Sequence, residues 1–333
     1  MSASAAKKGA HATAKWGIVS TIKAPAADVL RFAAYHLEQG AHRLYIYLDA
    51  PDPAAYGALK AHPKIRVTET DDSYWAKHGK RPAKHQPRQT INAADAYAKR
   101  AEIDWLIHID CDEFIAAPQP LGEILAGLPS DCLCSRMRPV EVLAGPPNAS
   151  GARPYKGYAL PMPERRRITE ALYPTFGRYL NGGFLSHVAG KLAYRTGLPD
   201  FHVKIHNCFQ GETQNPGQQE LPSVQLCHQH AGDWDTWFAH YKYRLQKGAY
   251  RAELKAPFDQ GKGGLSMHAL LQTIEEDGGT AGLRSFFDEV CTARPDLLND
   301  LASHNLLSWH ALDLDRTCAA HFPDQIHLLQ NSE

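Results

Sequence analysis

Three carboxylates fall within four residues, at Asp110, Asp112 and Glu113, directly after the apolar run Trp105-Leu106-Ile107-His108-Ile109. A run of that length, rich in β-branched and aromatic residues, reads as a buried strand of a parallel sheet. In open α/β sheets, ligands bind in the crevice beyond the carboxyl ends of such strands. In extended chain Asp110 and Asp112 point to the same face, about 7 Å apart. Like charges that close call for a cation between them. A divalent metal, Mn2+ or Mg2+, suits carboxylate oxygens and often shares its shell with phosphates. The plain alternative is a solvated acidic turn.

The elements around this tip alternate between strands and helices. Trp16 to Ile22 reads as a first strand, and Pro25 opens a helix whose apolar positions Val29, Leu30, Ala33 and Leu37 recur at helical spacing before Gly40. Arg43 to Leu48 is a second strand, closed by Asp49, and Ile65 to Thr68 a third. This order predicts a parallel sheet with right-handed crossovers. A polar stretch carrying Lys77, Lys80, Arg81, Lys84 and Arg88 leads into a helix from Arg88 to about Arg100, with Gln89 and Asn92 in its first turn. Residues 131 to 145 read as another strand. The Pro- and Gly-rich stretch from Gly145 to about Gly183 is a long loop, the kind that is usually functional or mobile. Val224 to His230 is a short strand ending in His228 and His230. Beyond it, apolar stripes at helical period predict a helical C-terminal region over residues 232–333, with Gly278-Gly279 separating two helices.

At 333 residues, with a 44% apolar fraction, the chain is long enough for an ample core. Lys+Arg and Asp+Glu both number 36, so no net charge points to nucleic acid or an anionic membrane. No apolar run approaches the roughly 20 residues of a membrane span. Residues 1–15 are Ala-rich, lack a signal-peptide core and are expected to form a disordered leader. The seven cysteines have no metal-ligand spacing and fit free thiols in a reducing compartment. These features predict a cytoplasmic protein, free or peripheral to a membrane.

The segment Trp-Leu-Ile-His-Ile-Asp-Cys-Asp-Glu-Phe, residues 105–114, resembles the D-x-D-E-F segment of bacterial family-2-like glycosyltransferases with the GT-A fold. The resemblance covers about residues 16 to 250. It implies an α/β, GT-A-like fold with a mostly parallel central sheet flanked by helices, a catalytic domain over residues 16–231 and the helical extension packed on it. It implies transfer of a sugar from a UDP- or GDP-type donor to a glycan, lipid or protein acceptor, with inversion. Asp110 and Asp112 would hold Mn2+ or Mg2+. The motif after the first strand, often Lys-Asn-Glu in that family, is here Lys23-Ala24-Pro25 and keeps only Lys23. Asp49 matches an acidic residue that contacts the nucleotide, or else is an Asx-turn residue before Pro51. Gln89 would face the nucleotide-sugar. Gly190 to Gly197 resembles a Gly-Lys-x-x-x-Arg segment in which Lys191 or Arg195 meets the donor phosphates, the alternative being outward-facing basic residues of a strand. A histidine before a helix bearing an aromatic and a basic residue completes the metal or diphosphate site. Spacing to Trp237 and Arg244 selects His228 over His230. Inversion needs a carboxylate base, for which Asp200 and Glu170 are the candidates.

Three rivals remain open at this level. A glycosidase needs two carboxyls facing each other across a sugar, whereas Asp110 and Asp112 leave one strand together. A sugar-phosphate nucleotidyltransferase normally carries a Gly-rich, Arg-Lys-containing loop where this chain has Thr21-Ile22-Lys23-Ala24-Pro25. A non-catalytic carbohydrate-binding or scaffold protein on the same fold would lack donor turnover.

Overall fold

The structure is a computed structural model that describes residues 13–99, 102–254, 256, 258 and 264–330. The leader expected at residues 1–15 therefore lies, over residues 1–12, outside the described residues. Residues 14 and 15 are held: Ala14 N donates to Gly122 O, and Lys15 N to Asp104 Oδ2 at 2.7 Å.

The α/β architecture expected from the sequence, a central sheet flanked by helices, is the one observed. The first half contains β1 (Trp16–Ile22), α1 (Ala26–Glu38), β2 (Arg43–Leu48), α2 (Pro53–Ala61), β3 (Ile65–Glu69), α3 (Asp72–Lys77), α4 (His85–Ala98), β4 (Trp105–His108), β5 (Glu113–Ala116) and α5 (Leu121–Ala126). The middle contains β6 (Cys134–Val142), β7 (Arg153–Lys156), α6 (Met162–Leu172), β8 (Lys191–Arg195), β9 (Phe201–Val203), β10 (Cys208–Gln210), β11 (Thr213–Gln214) and β12 (Gln219–His228). The C-terminal region contains α7 (Trp234–Gln246), α8 (Met267–Cys291), α9 (Pro295–Ser303), β13 (Leu307–His310), α10 (Leu314–His321) and α11 (Ile326–Gln330).

The central sheet runs β13-β7-β6-β8-β4-β1-β2-β3, with β12 and β5 joined at β6. The half formed by β4-β1-β2-β3 is parallel as predicted. Its side chains alternate between two cores, as strand geometry requires. Ile18, Leu44, Ile46 and Ile107 pack with Val29, Leu30 and Ala33 of α1, while Val19, Tyr45 and Leu106 pack with Ala93 and Ala96 of α4. A third core, built around Trp237, Tyr241, Phe286 and Phe287, joins α7, α8 and α9. Gly279, at φ 56° and ψ −146°, breaks α8 where the Gly pair was expected to separate two helices. The C-terminal region is helical except for β13, which pairs antiparallel with β7 and so extends the sheet.

Two arrangements position the site. The parallel register brings the carboxyl ends of β2, β1 and β4, and hence Asp49, Lys23 and Asp110, to one edge of the sheet. Strand β8 runs antiparallel between β4 and β6, with Lys191 opposite Met137 and Arg195 opposite Trp105. Its first residue therefore lies at that edge and its last at the far end, about 13 Å away. Gly190 makes the entry into β8 possible: its φ is +72°, and a Cβ there would press on the Met137 carbonyl. Gly190→Ala should lower stability by at least about 2 kcal/mol from backbone strain alone, seen as a lower urea midpoint at unchanged m-value.

Candidate active site at the carboxyl edge of the sheet

The acidic segment is a turn rather than a continuation of β4. Glu113 N donates to Asp110 O at 3.1 Å, so the chain reverses between β4 and β5 and Asp110 and Asp112 do not share one extended face. The expectation of a same-face pair fails here because the chain turns back at once to pair β5 with β12.

Asp110 and Asp112 then find different cations from the protein itself. Lys191 Nζ lies 2.7 Å from Asp110 Oδ2 and 3.2 Å from Glu113 Oε2, with its side chain wholly buried. Asp110 Oδ1 accepts from Gln89 Nε2, and Asp110 N donates to Glu113 Oε2 at 2.8 Å. Burial opposes charge on both Asp110 and Lys191, but their mutual attraction prevails. Asp110 is held well below the usual carboxylate range and Lys191 above the usual amine range. Glu113 fares differently: burial, helped by Asp110 and only partly offset by Lys191, pushes it up to about 7. One ammonium shared between part-exposed Asp110 and buried Glu113 does not keep both fully ionised.

Asp112 is the more open of the pair, its side chain 45% exposed against 33% for Asp110, and His228 Nε2 lies 3.1 Å from its Oδ2. β12 delivers this histidine by pairing antiparallel with β5, which sets His228 opposite Glu113. Gln229 N donates to Asp112 O at 2.9 Å and fixes the register. Ser186 Oγ meets His228 Nδ1 at 3.1 Å. Ser186 is itself held by a second buried ion pair. Glu141 accepts from Leu185 N and Ser186 N at 3.1 and 3.0 Å, and Lys156 Nζ, 3.5 Å from Glu141, donates to Gly183 O. Burial would lower the pKa of His228, but Asp112 overrides it and raises the ring to about 9. Asp112 is correspondingly lowered by His228 against the effect of burial.

Asp112, His228 and His230 form a group of possible metal ligands whose donor atoms lie within 4.8 Å of one another. A carboxylate beside imidazole nitrogen fits a first-row transition ion better than Mg2+, which prefers oxygen alone. His228 would have to release its proton for an ion to enter, so binding should tighten as pH rises. Asp110, the other metal ligand expected from the sequence, is outside this group, and its two oxygens meet Gln89 and Lys191.

The other candidate residues divide sharply. Asp49 lies at the site edge but is closed off: Arg88 Nη2 at 2.7 Å, Arg81 Nη2 at 3.0 Å and His85 Nδ1 at 3.5 Å surround a carboxylate with no exposed surface. The basic stretch is therefore folded onto Asp49. Burial opposes ionisation there, but His85, Arg88 and Arg81 bring the group down to about 2. Lys23 lies exposed at the same edge. Arg195 is placed at the far end of β8, stacked over Trp105 at 4.5 Å and donating to the carbonyls of Cys132 and Pro129. It closes a loop and does not meet the site.

Asp200 is also remote. It is exposed, has φ 51° and pairs with His202 at 3.0 Å. Leu198, two residues away, bonds Tyr97 OH near the C-terminus of α4, whereas Gln89 marks the site at the N-terminus of that helix. Eight helical residues separate these points by about 12 Å. Glu170 pairs with Arg166 on the surface of α6.

Three further histidines adjoin the Lys191 centre. His108 is buried with neither ring nitrogen bonded, and burial followed by Lys191 lowers it to about 3. His187 and His206 meet edge-to-face at 4.0 Å, and burial lowers them to about 2 and about 4. Sequence reasoning passed over His108 and His187. For His108 a signal existed: it sits two residues before Asp110 on an apolar strand, hence on the same face.

No family model and no curated protein matches the chain. Among solved structures it is similar to HddC from Yersinia pseudotuberculosis, at 13% identity over 42% of this chain and 67% of that one, with a TM-score of 0.26. It is similar to S. aureus TarS 1-349 at 10% identity over 95% and 83% of the two chains, with a TM-score of 0.35. It is also similar to GalNAc-T7, solved with UDP, GalNAc and Mn2+, at 11% identity over 95% of this chain and 59% of that one, with a TM-score of 0.36.

The lowered pKa of Asp49 carries a stability prediction. Its stabilisation is complete above the unfolded value near 3.8 and is lost as pH falls through about 2. Asp49→Asn should cost about 1–2 kcal/mol at pH 7, the figure being reduced because water screens half-exposed Arg81. The gap between variant and wild type in urea titrations should close as pH falls from 4 toward 2.

Proposed function

We propose that this chain is a metal-dependent glycosyltransferase that moves a sugar from a UDP- or GDP-type donor to a glycan, lipid or protein acceptor with inversion. The observation that carries this reading is the pairing of an exposed carboxylate–imidazole centre, Asp112 with His228, with a buried ammonium centre at Lys191 on the carboxyl edge of a parallel sheet. Such an edge is where α/β folds bind ligands.

Asp112 and His228 would hold Mn2+ in preference to Mg2+, and the ion would supply Lewis-acid charge to the departing diphosphate. The chain's own residues do the rest. Gln89 and Lys191 hold Asp110 in a fixed orientation at the end of β4, where its carboxylate can accept hydrogen bonds from donor hydroxyls. Lys191 adds preorganised positive charge behind the leaving group. Ser186 orients the His228 ring, and Glu141 with Lys156 fixes Ser186. Inversion requires a base for the acceptor hydroxyl. Neither Asp200 nor Glu170 reaches this edge, and Glu113, although poised near neutral pH, is sealed beneath Asp110 with no exposed surface. No helix among the described residues is long and apolar enough to cross a membrane.

UDP or GDP should raise the melting temperature only when Mn2+ is present, and Asp112→Ala should abolish that increment while leaving the melting temperature of the ligand-free protein within a few degrees. An increment indifferent to chelator and to Asp112→Ala would count against the metal centre.

A further inference from the structure

His230 completes the group of possible ligands beside Asp112 and His228, yet its hydrogen bonds assign it a different task. Its Nε2 lies 2.7 Å from the hydroxyl of Tyr250, which is fully buried. The same hydroxyl accepts from Trp237 Nε1 at 3.0 Å, also fully buried. An indole nitrogen only donates, so the Tyr250 oxygen is the acceptor of that bond. The hydroxyl's own hydrogen has one acceptor among its described partners, His230 Nε2. If His230 instead donated from Nε2, the tyrosine hydrogen would be buried without a partner, the costlier arrangement. Nε2 is therefore unprotonated, and the ring carries its proton on Nδ1.

We infer that Trp237 and Tyr250 are positioning residues that lock His230 as the Nδ1–H tautomer, making it a hydrogen-bond donor to the diphosphate of the nucleotide and not a metal ligand. Both ring nitrogens are then committed: Nε2 accepts from Tyr250, and Nδ1 holds a hydrogen that an ion would have to expel. The His230 ring lies 5.2 Å from that of His228, centroid to centroid, so a donor on it adjoins the Asp112–His228 pair, where a phosphate oxygen shared with the ion would accept from it. This inference rests on the proposed function for the identity of the ligand but not for the tautomer. It also gives the aromatic core of α7 a purpose beyond packing, because Trp237 belongs at once to that core and to the relay.

Two measurements on the full chain test it separately. In 15N-labelled protein, with the His230 signals identified by their loss in His230→Asn, wild type should show a protonated-type shift at Nδ1 and an unprotonated-type shift at Nε2. Tyr250→Phe should move the ring toward the Nε2–H form. An unprotonated Nδ1 in wild type, or no response to Tyr250→Phe, overturns the inference whether or not the protein is a transferase. In Mn2+ titrations followed by EPR without nucleotide, His230→Ala should bind as wild type does, whereas His228→Ala, which removes a direct ligand, should lose more than the roughly 10- to 100-fold that removing a group behind a ligand costs. With Mn2+ saturating, UDP should bind His230→Ala about tenfold more weakly, the worth of one charge-assisted hydrogen bond. Equal loss of Mn2+ in the two variants would make His230 a ligand and refute the inference. Absence of Mn2+ binding in wild type would refute the proposed function instead, and the tautomer would still be decided by the 15N spectrum.

Discussion

The ammonium of Lys191, buried between Asp110 and Glu113, is the interaction on which the rest of the site depends. Two carboxylates cannot be taken out of water side by side without a countercharge. Removing the cation would leave them uncompensated at the point where β4 turns into β5. The sheet is built to deliver it: β8 inserts antiparallel beside β4, Gly190 lets the chain enter that strand, and the first residue past the glycine reaches the acidic tip. With one carboxylate pair satisfied from below, Asp112 is left on the open side of the turn with His228 as its partner. The tip thus separates into a half held from within by buried Lys191 and a more open half formed by Asp112.

This division also explains why so many neutral imidazoles crowd the edge. His108, His187 and His206 lie close to an ammonium that has no access to water. A second positive charge there would meet both burial and repulsion, so each ring is driven toward its neutral form. His228 is the exception because Asp112 faces it directly. Position relative to two carboxylates, more than residue type, decides which histidine is charged.

Much of this was legible in the sequence, and what was not has a common physical origin. The strand ending in the acidic tip, the parallel order of the first four strands, Gln89, Lys191 and His228 follow from local pattern, from strand ends or from the family resemblance, and the fold gathers them at one edge. Arg195 and Asp200 do not join them. Lys191 and Arg195 are four residues apart on one strand, so only one can lie at the edge. Which one depends on the direction of β8 against β4, a pairing across more than eighty residues that no local pattern records. The turn at Asp110–Glu113 was hidden for a similar reason: Glu113 pairs with His228, so the reversal is enforced from β12 and not by a Gly or Pro in the segment itself. β13 escaped notice because its partner, β7, lies about 150 residues earlier.

The central claim is that Asp112 with His228 grips a cation that in turn grips a nucleoside diphosphate, while Lys191 keeps bridging Asp110 and Glu113. Anomalous diffraction from a crystal soaked with Mn2+ and UDP tests this most directly. The account predicts one manganese peak at Asp112 and His228, with the diphosphate in its shell and Lys191 still bridging Asp110 and Glu113. Manganese seated on Asp110 with Lys191 displaced, or no ordered ion at the tip while UDP binds elsewhere, would contradict it.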